Sequence, residues 1–189
     1  MPRTTTAPAP AITVRPATPA DLPALGRLGA ALARAHHDWD PQRFFVWEPL
    51  EEGYAWWLGK ELKNRRAVVL VAVRRGRVVG YAYGRIEPRD WNALRDTCGA
   101  GIDLIVDPKA RGLGAGRRLG EELLRALRAK GAPRIVLQAA WRNRDAQRFF
   151  RALGFRPTMV EMTLELGEPA AAPRPRSETP LRRADRRQQ

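Results

Sequence analysis

Residues 101–120, GIDLIVDPKARGLGAGRRLG, decide the fold of this chain. An apolar pattern predicts a strand at its start, formed by Ile102, Leu104, Ile105 and Val106. Pro108 cannot donate a ladder hydrogen bond, so the strand should end before it. An amphipathic helix follows a loop with three glycines: Gly112, Gly114 and Gly116. Such a loop offers backbone N–H groups to an anion, because the first N–H groups of a helix lack partners.

Several ligand loops share this outline and can be tested against the spacing. The lysine phosphate loop is excluded, because no Gly-Lys-Ser/Thr follows the glycines. A dinucleotide fingerprint has the form G-x-G-x-x-G, whereas Gly116 comes one residue too early after Gly112 and Gly114. A glycine-capped turn without any ligand stays open on the loop alone.

A second signature lies downstream of this loop. Its residues are Asn143, Phe149-Phe150 and Leu153-Gly154-Phe155. The loop itself supplies the pattern Arg111-x-x-Gly114-x-Gly116. In this order the two motifs resemble those of the GNAT superfamily of N-acetyltransferases, in which an acyl-CoA loop precedes an Asn that opens a helix ending in a Leu-Gly-Phe turn. The resemblance covers residues 12–166.

The resemblance implies the GNAT fold, an α/β fold with a mixed central β-sheet. About six to seven strands are expected, flanked by about four helices, with strands four and five splayed apart. The sequence patterns predict strands at residues 12–15, 68–74, 77–87, 98–106, 134–138 and 155–166, the last as a strand or hairpin. Helices are expected around residues 22–32, 54–62, 115–131 and 144–153. The first helix should begin at Thr18 or, because of Pro23, at Asp21.

Composition bounds the class of protein and its partners. The formal net charge is +14, mostly from arginine. Arginines interleaved with acids, as in residues 117–125, indicate solvated helix faces, so nucleic acid is disfavoured as a partner. A basic nucleic-acid-binding module nevertheless stays an alternative function.

Cysteine content and the termini suggest a location. Cys98 is the only cysteine, and no apolar run is long enough for a signal peptide or membrane span. We therefore expect a cytoplasmic protein without a membrane partner. Residues 1–11 and 167–189 read as disordered tails around one domain at 12–166. We expect no metal, because His36 and His37 are adjacent and face different sides of a helix.

The resemblance implies acetyl-CoA as co-substrate. It implies that backbone groups of Leu104, Ile105 and Val106 pair with the pantetheine arm as an added strand would. The diphosphate should lie on the loop, with Asn143 and Phe150 completing the cofactor site. The loop residues implied are Arg111, Gly112, Leu113, Gly114, Ala115, Gly116 and Arg117. The amide of Val106 or its neighbour, at a bulge in the fourth strand, is the candidate donor to the thioester carbonyl.

Amine acetylation also needs a base, and two carboxylates are candidates. Asp103 lies among apolar residues of the fourth strand, where burial would raise its pKa; pairing with a neighbouring arginine is the alternative. Glu87 ends the third strand and could act through a water, or could simply face solvent. Phe150 stands where many family members have a tyrosine that protonates the leaving thiolate. Water or Tyr83 could replace that hydroxyl.

The sequence therefore predicts an acetyl-CoA-dependent N-acetyltransferase. The acetyl group should move to a primary amine by direct transfer in a ternary complex. An acyl-CoA-binding domain with little turnover is the alternative that Phe150 suggests. Acids and aromatics at residues 38–57 could bind a cationic small-molecule or peptide amine, or could form core and wet surface. Acceptor identity, acyl-chain preference and oligomeric state stay open, with a homodimer among the options.

Overall fold

A computed structural model describes residues 11–167 of the chain. The expected tails, residues 1–11 and 167–189, lie almost wholly outside this range. The strands are β1 (Thr13–Pro16), β2 (Ala67–Arg74), β3 (Arg77–Glu87) and β4 (Cys98–Val106). The helices are α1 (Leu22–Trp39), α2 (Leu50–Glu61), α3 (Ala115–Ala129) and α4 (Arg144–Ala152).

The strands form one sheet in the order β1-β2-β3-β4, and every neighbouring pair is antiparallel. The predicted hairpin between β2 and β3 is confirmed. Arg75 and Gly76 at its turn have φ values of 49° and 73°. Two successive left-handed residues match the twist of the flanking strands, which favours a tight hairpin.

The expectation of six to seven strands in a mixed sheet is wrong for residues 11–167, which form four antiparallel strands. The predicted fifth strand, residues 134–138, makes only one parallel bridge to β4. The N–H of Gly99 donates to the carbonyl of Arg134 at 2.9 Å, and the N–H of Val136 donates to the carbonyl of Gly99 at 2.8 Å. Residues 155–166 pair with no strand of the sheet and form none themselves.

A bulge in β4 explains why this pairing stops. Tyr83 pairs with Asp103, whereas Arg85 pairs with Ala100, so two residues of β4 lie opposite Gly84 alone. The first of these, Gly101, has a φ of 63°, a left-handed value that favours glycine. A bulge bends its strand, so the edge of β4 leaves the segment that follows residue 134. The bulge expected near Val106 is therefore real but lies earlier in the strand.

Helices cover both faces of the sheet. On one face, α1 and α2 pack on Tyr81, Val71 and Ile105, and on the other α3 packs on Val106 and Leu70. No helix within residues 11–167 has both the length and the apolar character needed to cross a bilayer.

The first helix begins at the later of the two predicted positions. A 3-10 turn at Pro19–Asp21 precedes it, and the helix proper starts at Leu22. The buried Asp21 carboxylate accepts hydrogen bonds from the Thr18 N–H at 2.8 Å and from the guanidinium of Arg15 at 2.7 and 2.8 Å. These contacts join β1 to the start of α1.

Two glycines allow α1 and α2 to pack at very short range. A Cβ added at Gly26 would lie 2.4 Å from the carbonyl oxygen of Glu51. A Cβ added at Gly29 would lie 2.2 Å from the ring of Tyr54. Real Cβ atoms do not approach other atoms so closely, so larger residues at either position would push the helices apart.

We predict that Gly26→Ala destabilises the protein, because its methyl group meets backbone that cannot move aside. The expected loss is about 1–3 kcal/mol of unfolding free energy, measured by chemical denaturation. Gly53→Ala on α2 is the matched control, since a Cβ there meets nothing within 4 Å. It should raise stability by about 0.5–1 kcal/mol through helix propensity. Equal effects of both substitutions would contradict the packing described.

Candidate active site

The outer edge of β4 carries backbone groups that the sheet does not use. The N–H of Asp107 donates to the carbonyl of Val79 at 2.8 Å, and hydrogen-bonded pairs alternate along an antiparallel ladder. Ile105 and Asp103 therefore bond to β3, while Leu104 and Val106 point away from it. Three residues were expected to bind pantetheine through the backbone. Only Leu104 and Val106 have outward-facing backbone groups, because those of Ile105 face Tyr81 on β3.

The glycine loop presents a row of N–H groups without partners. Gly112 and Gly114 have φ values of 75° and 83°, and Gly114 immediately precedes α3. Among the described residues, none accepts a hydrogen bond from the N–H groups of residues 112–117. Nothing lies within 4 Å of a Cβ added at either glycine, so the loop faces open space. These donors at a helix N-terminus fit the diphosphate of a coenzyme A molecule.

The arginines around the loop have separate contacts. The Nε of Arg111 donates to the carbonyl of Val106 at 3.4 Å, which places its guanidinium beside the outer edge of β4. Arg117 forms a salt bridge with Glu121 at 2.7 Å. Arg118 donates to the carbonyl of Ile12 at 2.8 Å and so helps to hold the start of β1. Arg111 and Arg117 therefore lie beside the glycine loop, whereas the side chain of Arg118 is used to hold the start of β1.

The second signature has the helix ends that its residues predict. The side-chain oxygen of Asn143 accepts from the N–H of Ala146 at 3.0 Å and caps α4. At the other end, Gly154 has a φ of 95°, and the N–H of Phe155 donates to the carbonyl of Phe150 at 3.0 Å. This is a Schellman ending. The part of Asn143 in cofactor binding stays a prediction.

Helix α4 lies against the first turns of α3. A Cβ added at Gly120 would lie 2.7 Å from the Leu153 side chain, so the small residue permits the contact. The ring of Phe150 packs edge-on against Phe149 and Phe155, and it borders an apolar groove that also contains Leu104. No hydroxyl is present at this position to serve as a proton donor, as the sequence indicates.

Asp103 lies on the sheet face that α1 and α2 cover. Its carboxylate accepts a hydrogen bond from the Tyr81 hydroxyl at 3.2 Å. Burial raises the pKa of Asp103 to about 6, although the hydrogen bond from Tyr81 and the proximity of His36 act in the opposite direction. The expected alternative, pairing with an arginine, is wrong for the described residues: none of them forms a salt bridge with Asp103.

Glu87 has a different environment. Its Oε1 accepts from Arg85 at 3.2 Å, and its Oε2 accepts from Arg95 at 2.5 Å. The carboxylate is 20% exposed, so the prediction that it simply faces solvent is wrong. Because both oxygens are already engaged by guanidinium groups, Glu87 is the weaker of the two candidate bases.

Sequence reasoning missed two polar groups on the Asp103 face. Tyr81 is fully buried and holds the Asp103 carboxylate, and burial raises its pKa well above the ordinary tyrosine value. Glu61, at the end of α2, accepts a hydrogen bond from the Tyr83 hydroxyl at 2.9 Å. The spacing of Tyr81 and Tyr83 on a predicted strand could have indicated a shared face. Nothing in the sequence around Glu61 indicates its contact.

The aromatic and acidic stretch at residues 38–57 is divided between core and surface. Trp57 packs edge-on against Tyr54 and Tyr83 beneath α2. Its acids Glu48 and Glu51 form salt bridges with Arg34 at 2.9 and 2.8 Å. This favours the core-and-surface alternative over a cation site built from those two acids.

The paired histidines bond to backbone. The Nδ1 atoms of His36 and His37 lie 2.8 and 2.7 Å from the carbonyl oxygens of Leu32 and Phe44. Within residues 11–167, no three His, Cys, Asp or Glu side chains are grouped as metal ligands would be.

Known proteins resemble the chain over this region. Residues 32–155 match the model of the acetyltransferase (GNAT) family. The mycothiol acetyltransferase of Thermomonospora curvata is 31% identical over 120 residues, which are 60% of this chain and 38% of that relative. The glucosamine 6-phosphate N-acetyltransferase of Trypanosoma brucei brucei is 33% identical over 117 residues, 57% of this chain and 77% of the relative.

A solved structure agrees with the fold. The crystal structure of a mutant BH1408 protein from Bacillus halodurans has a TM-score of 0.71 and 25% identity, covering 82% of this chain and 99% of that one. The family match extends over well more than half of the chain and includes β4, the glycine loop and α4. The family predicted from the sequence is thereby confirmed, and the chain belongs to the acetyltransferase (GNAT) family.

Proposed function

We propose that this protein transfers the acetyl group of acetyl-CoA directly to a primary amine in a ternary complex. One observation carries the proposal: β4 joins a free edge and an unpaired glycine loop to the half-buried carboxylate of Asp103, which accepts a hydrogen bond from Tyr81 and forms no salt bridge with any described residue. The first two features suit a coenzyme A molecule, and the third suits a base. The outward-facing edge, the glycine loop and Asp103 all lie within residues 103–117, where the chain leaves β4 and enters α3.

The cofactor would be held mainly by backbone. Leu104 and Val106 would bond to its amide groups, and the N–H groups of residues 112–117 would bind its diphosphate. When bound, acetyl-CoA supplies an acetyl group activated as a thioester. The outward N–H of Val106 is the candidate donor to the acetyl carbonyl, since charge develops on that oxygen during transfer.

Asp103 would accept the proton that the attacking amine loses. A carboxyl group with a pKa of about 6 is mostly ionised at neutral pH and is a stronger base than an ordinary aspartate. Tyr81 would hold the carboxylate in position through its hydroxyl. Glu87 stays the second candidate and would act through a water.

Protonation of the leaving thiolate has no dedicated residue at Phe150. The Tyr83 hydroxyl, one proposed substitute, is buried and donates to Glu61, and burial raises its pKa above the ordinary range. A thiol with a pKa of about 8.5 leaves readily as thiolate, so water can complete the reaction. Phe150 nevertheless favours a second candidate function, acyl-CoA binding with little turnover. Acetyl-CoA binding without thiol release across an amine panel would favour it.

Nucleic-acid binding has less support. Nine arginines of the described residues form salt bridges with carboxylates, which leaves less unpaired charge than the formal value suggests. Retention on heparin together with no affinity for coenzyme A would favour it over the transferase.

The loop assignment is tested by Gly114→Ala, which should weaken acetyl-CoA binding about tenfold or more, because a left-handed φ at this residue directs the amides. Gly131→Ala is the matched control. Gly131 ends the same helix with a φ of 88° and equally open surroundings, so its backbone strain is comparable. Calorimetric titration measures both. Equal weakening by the two variants, or none by Gly114→Ala, would remove the loop from the cofactor site.

The base is tested by the pH dependence of kcat/KM with an amine of high pKa. Asp103 must be ionised to act, so its protonation should lower kcat/KM below about pH 6, beyond the decrease caused by protonation of the amine itself. For an aspartate with an ordinary pKa, this further decrease would begin only near pH 4. Tyr81→Phe removes a hydrogen bond that lowers the pKa of Asp103, so the acidic limb of the pH profile should move to higher pH in this variant. The facing groups Tyr54, Tyr83 and His36 are unchanged in both proteins.

Two carboxylate variants separate the candidate bases. Asp103→Asn should abolish the acidic limb of the pH profile and lower kcat about 100-fold or more. Glu87→Gln should leave the acidic limb at the same pH. A limb that survives Asp103→Asn and disappears in Glu87→Gln would assign the base to Glu87.

A further inference from the structure

A cleft with several arginines lies where β3 ends and β4 begins. Its volume is about 770 Å³. The walls come from the α2–β2 connection, the end of β3 and the β3–β4 connection. The charged residues that line it are Arg66, Arg85, Arg89, Arg95, Glu87 and Asp90.

Positive charge exceeds negative charge in this cleft. Four guanidinium groups line it, against two carboxylates. Arg85 and Arg95 share the single carboxylate of Glu87, and Arg89 pairs with Asp96. Within residues 11–167, Arg66 forms no salt bridge. The cleft therefore has guanidinium donors beyond those its own acids use.

Arg95 shows the same excess at the level of single atoms. Its Nη2 donates to Glu87, but its buried Nε has no hydrogen-bond partner, and it is the one such side-chain atom among the described residues. Reciprocal backbone hydrogen bonds between Asp90 and Arg95, at 2.7 and 2.9 Å, hold the connection that carries it. The guanidinium is thus held by Glu87, and its hydrogen-bonding capacity is not fully used by the described residues.

The cleft adjoins the candidate base through the bulge of β4. A Cβ added at Gly101 would lie 3.8 Å from the Oε1 of Glu87 and 3.6 Å from the ring of Tyr83. Tyr83 pairs directly with Asp103. Arg85 follows Tyr83 by two residues on the same strand, a separation of about 7 Å. A small molecule can span this distance.

We propose that the cleft binds an anionic group of the amine acceptor, a carboxylate or a phosphate monoester, while the amine reaches Asp103. Guanidinium groups suit both anions because they bind planar oxygen pairs through two hydrogen bonds. The acceptor is then a bipolar molecule whose amine and anion lie about 7–10 Å apart, given the strand spacing. Trp91, 77% exposed with Arg89 5.3 Å from its ring centre, offers an apolar surface at the rim. This inference rests on the proposed function.

Matched pairs of amines test the proposal. Glucosamine 6-phosphate is compared with glucosamine, and lysine with 1,5-diaminopentane, so each pair differs in one anion. The kcat/KM of each is followed by release of free thiol from acetyl-CoA. At least one anionic member should be preferred by about tenfold or more, mainly through KM. The phosphate and carboxylate pairs distinguish the two sources of the anion.

Arginine variants locate the preference. Arg66→Gln should lower the ratio between the anionic and the neutral amine about tenfold, the effect of one charge-assisted hydrogen bond. Arg125→Gln is the control for net charge, since Arg125 lies on α3 in a salt bridge with Glu122 and should keep the ratio. Equal kcat/KM within both pairs, or the same loss of ratio in Arg66→Gln and Arg125→Gln, would overturn the proposal.

Calorimetry keeps this test separate from catalysis. The same amines are titrated into the full chain saturated with coenzyme A. Tighter binding of an anionic amine than of its neutral partner, weakened by Arg66→Gln, would support the cleft even if no thiol were released. The absence of thiol release would contradict the proposed transferase activity and not the cleft. Equal binding within each pair overturns the inference whether or not turnover occurs.

Discussion

The pairing between β3 and β4 contains one extra residue on β4, and much of the candidate site depends on how the strand accommodates it. Because Gly101 and Ile102 lie opposite Gly84 alone, the alternation of side chains shifts by one position. Ala100 and Asp103 therefore point to the same face. In a regular strand Ala100 and Asp103 would point to opposite faces. The same irregularity ends the pairing that begins at Gly99 and leaves the edge near Leu104 and Val106 exposed.

The close contact of α1 and α2 completes this arrangement by burying the Asp103 face. Removing a carboxylate from water without a cation is costly, and proteins usually pair such groups. This chain contains many arginines, yet none of those in the described residues forms a salt bridge with Asp103, which accepts a hydrogen bond from a tyrosine hydroxyl instead. Burial therefore raises the pKa of Asp103, and the hydrogen bond from Tyr81 opposes that rise only in part. The close packing of α1 and α2 at their glycines thus affects the protonation of Asp103, because these helices cover the face of the sheet on which its carboxylate lies.

Local patterns predicted the elements that we propose to hold the cofactor. The strand before Pro108, the glycine loop, α3 and the capped helix α4 each depend on residues close together in sequence. The partners of Asp103 on its face could not be predicted, because the register of β3 against β4 depends on a bulge and on the ten-residue connection between them. The contact between Tyr83 and Glu61 depends equally on tertiary packing. The number of strands was overestimated because an alternating segment forms a strand only when it pairs along an edge, whereas residues 134–138 pair with β4 at Gly99 alone and residues 155–166 pair with no strand.

The connection between β3 and β4 closes on itself through the paired backbone groups of Asp90 and Arg95. Its internal hydrogen bonds do not depend on the neighbouring strands, and it shares no residue with the glycine loop. Evolution can therefore replace or lengthen this segment while the ladder and the glycine loop stay intact. If the proposed cleft selects the acceptor, relatives that differ here would keep the same chemistry and differ in the amine they acetylate. Variation among homologues should accordingly concentrate in residues 88–97, whereas the bulge glycine should be retained.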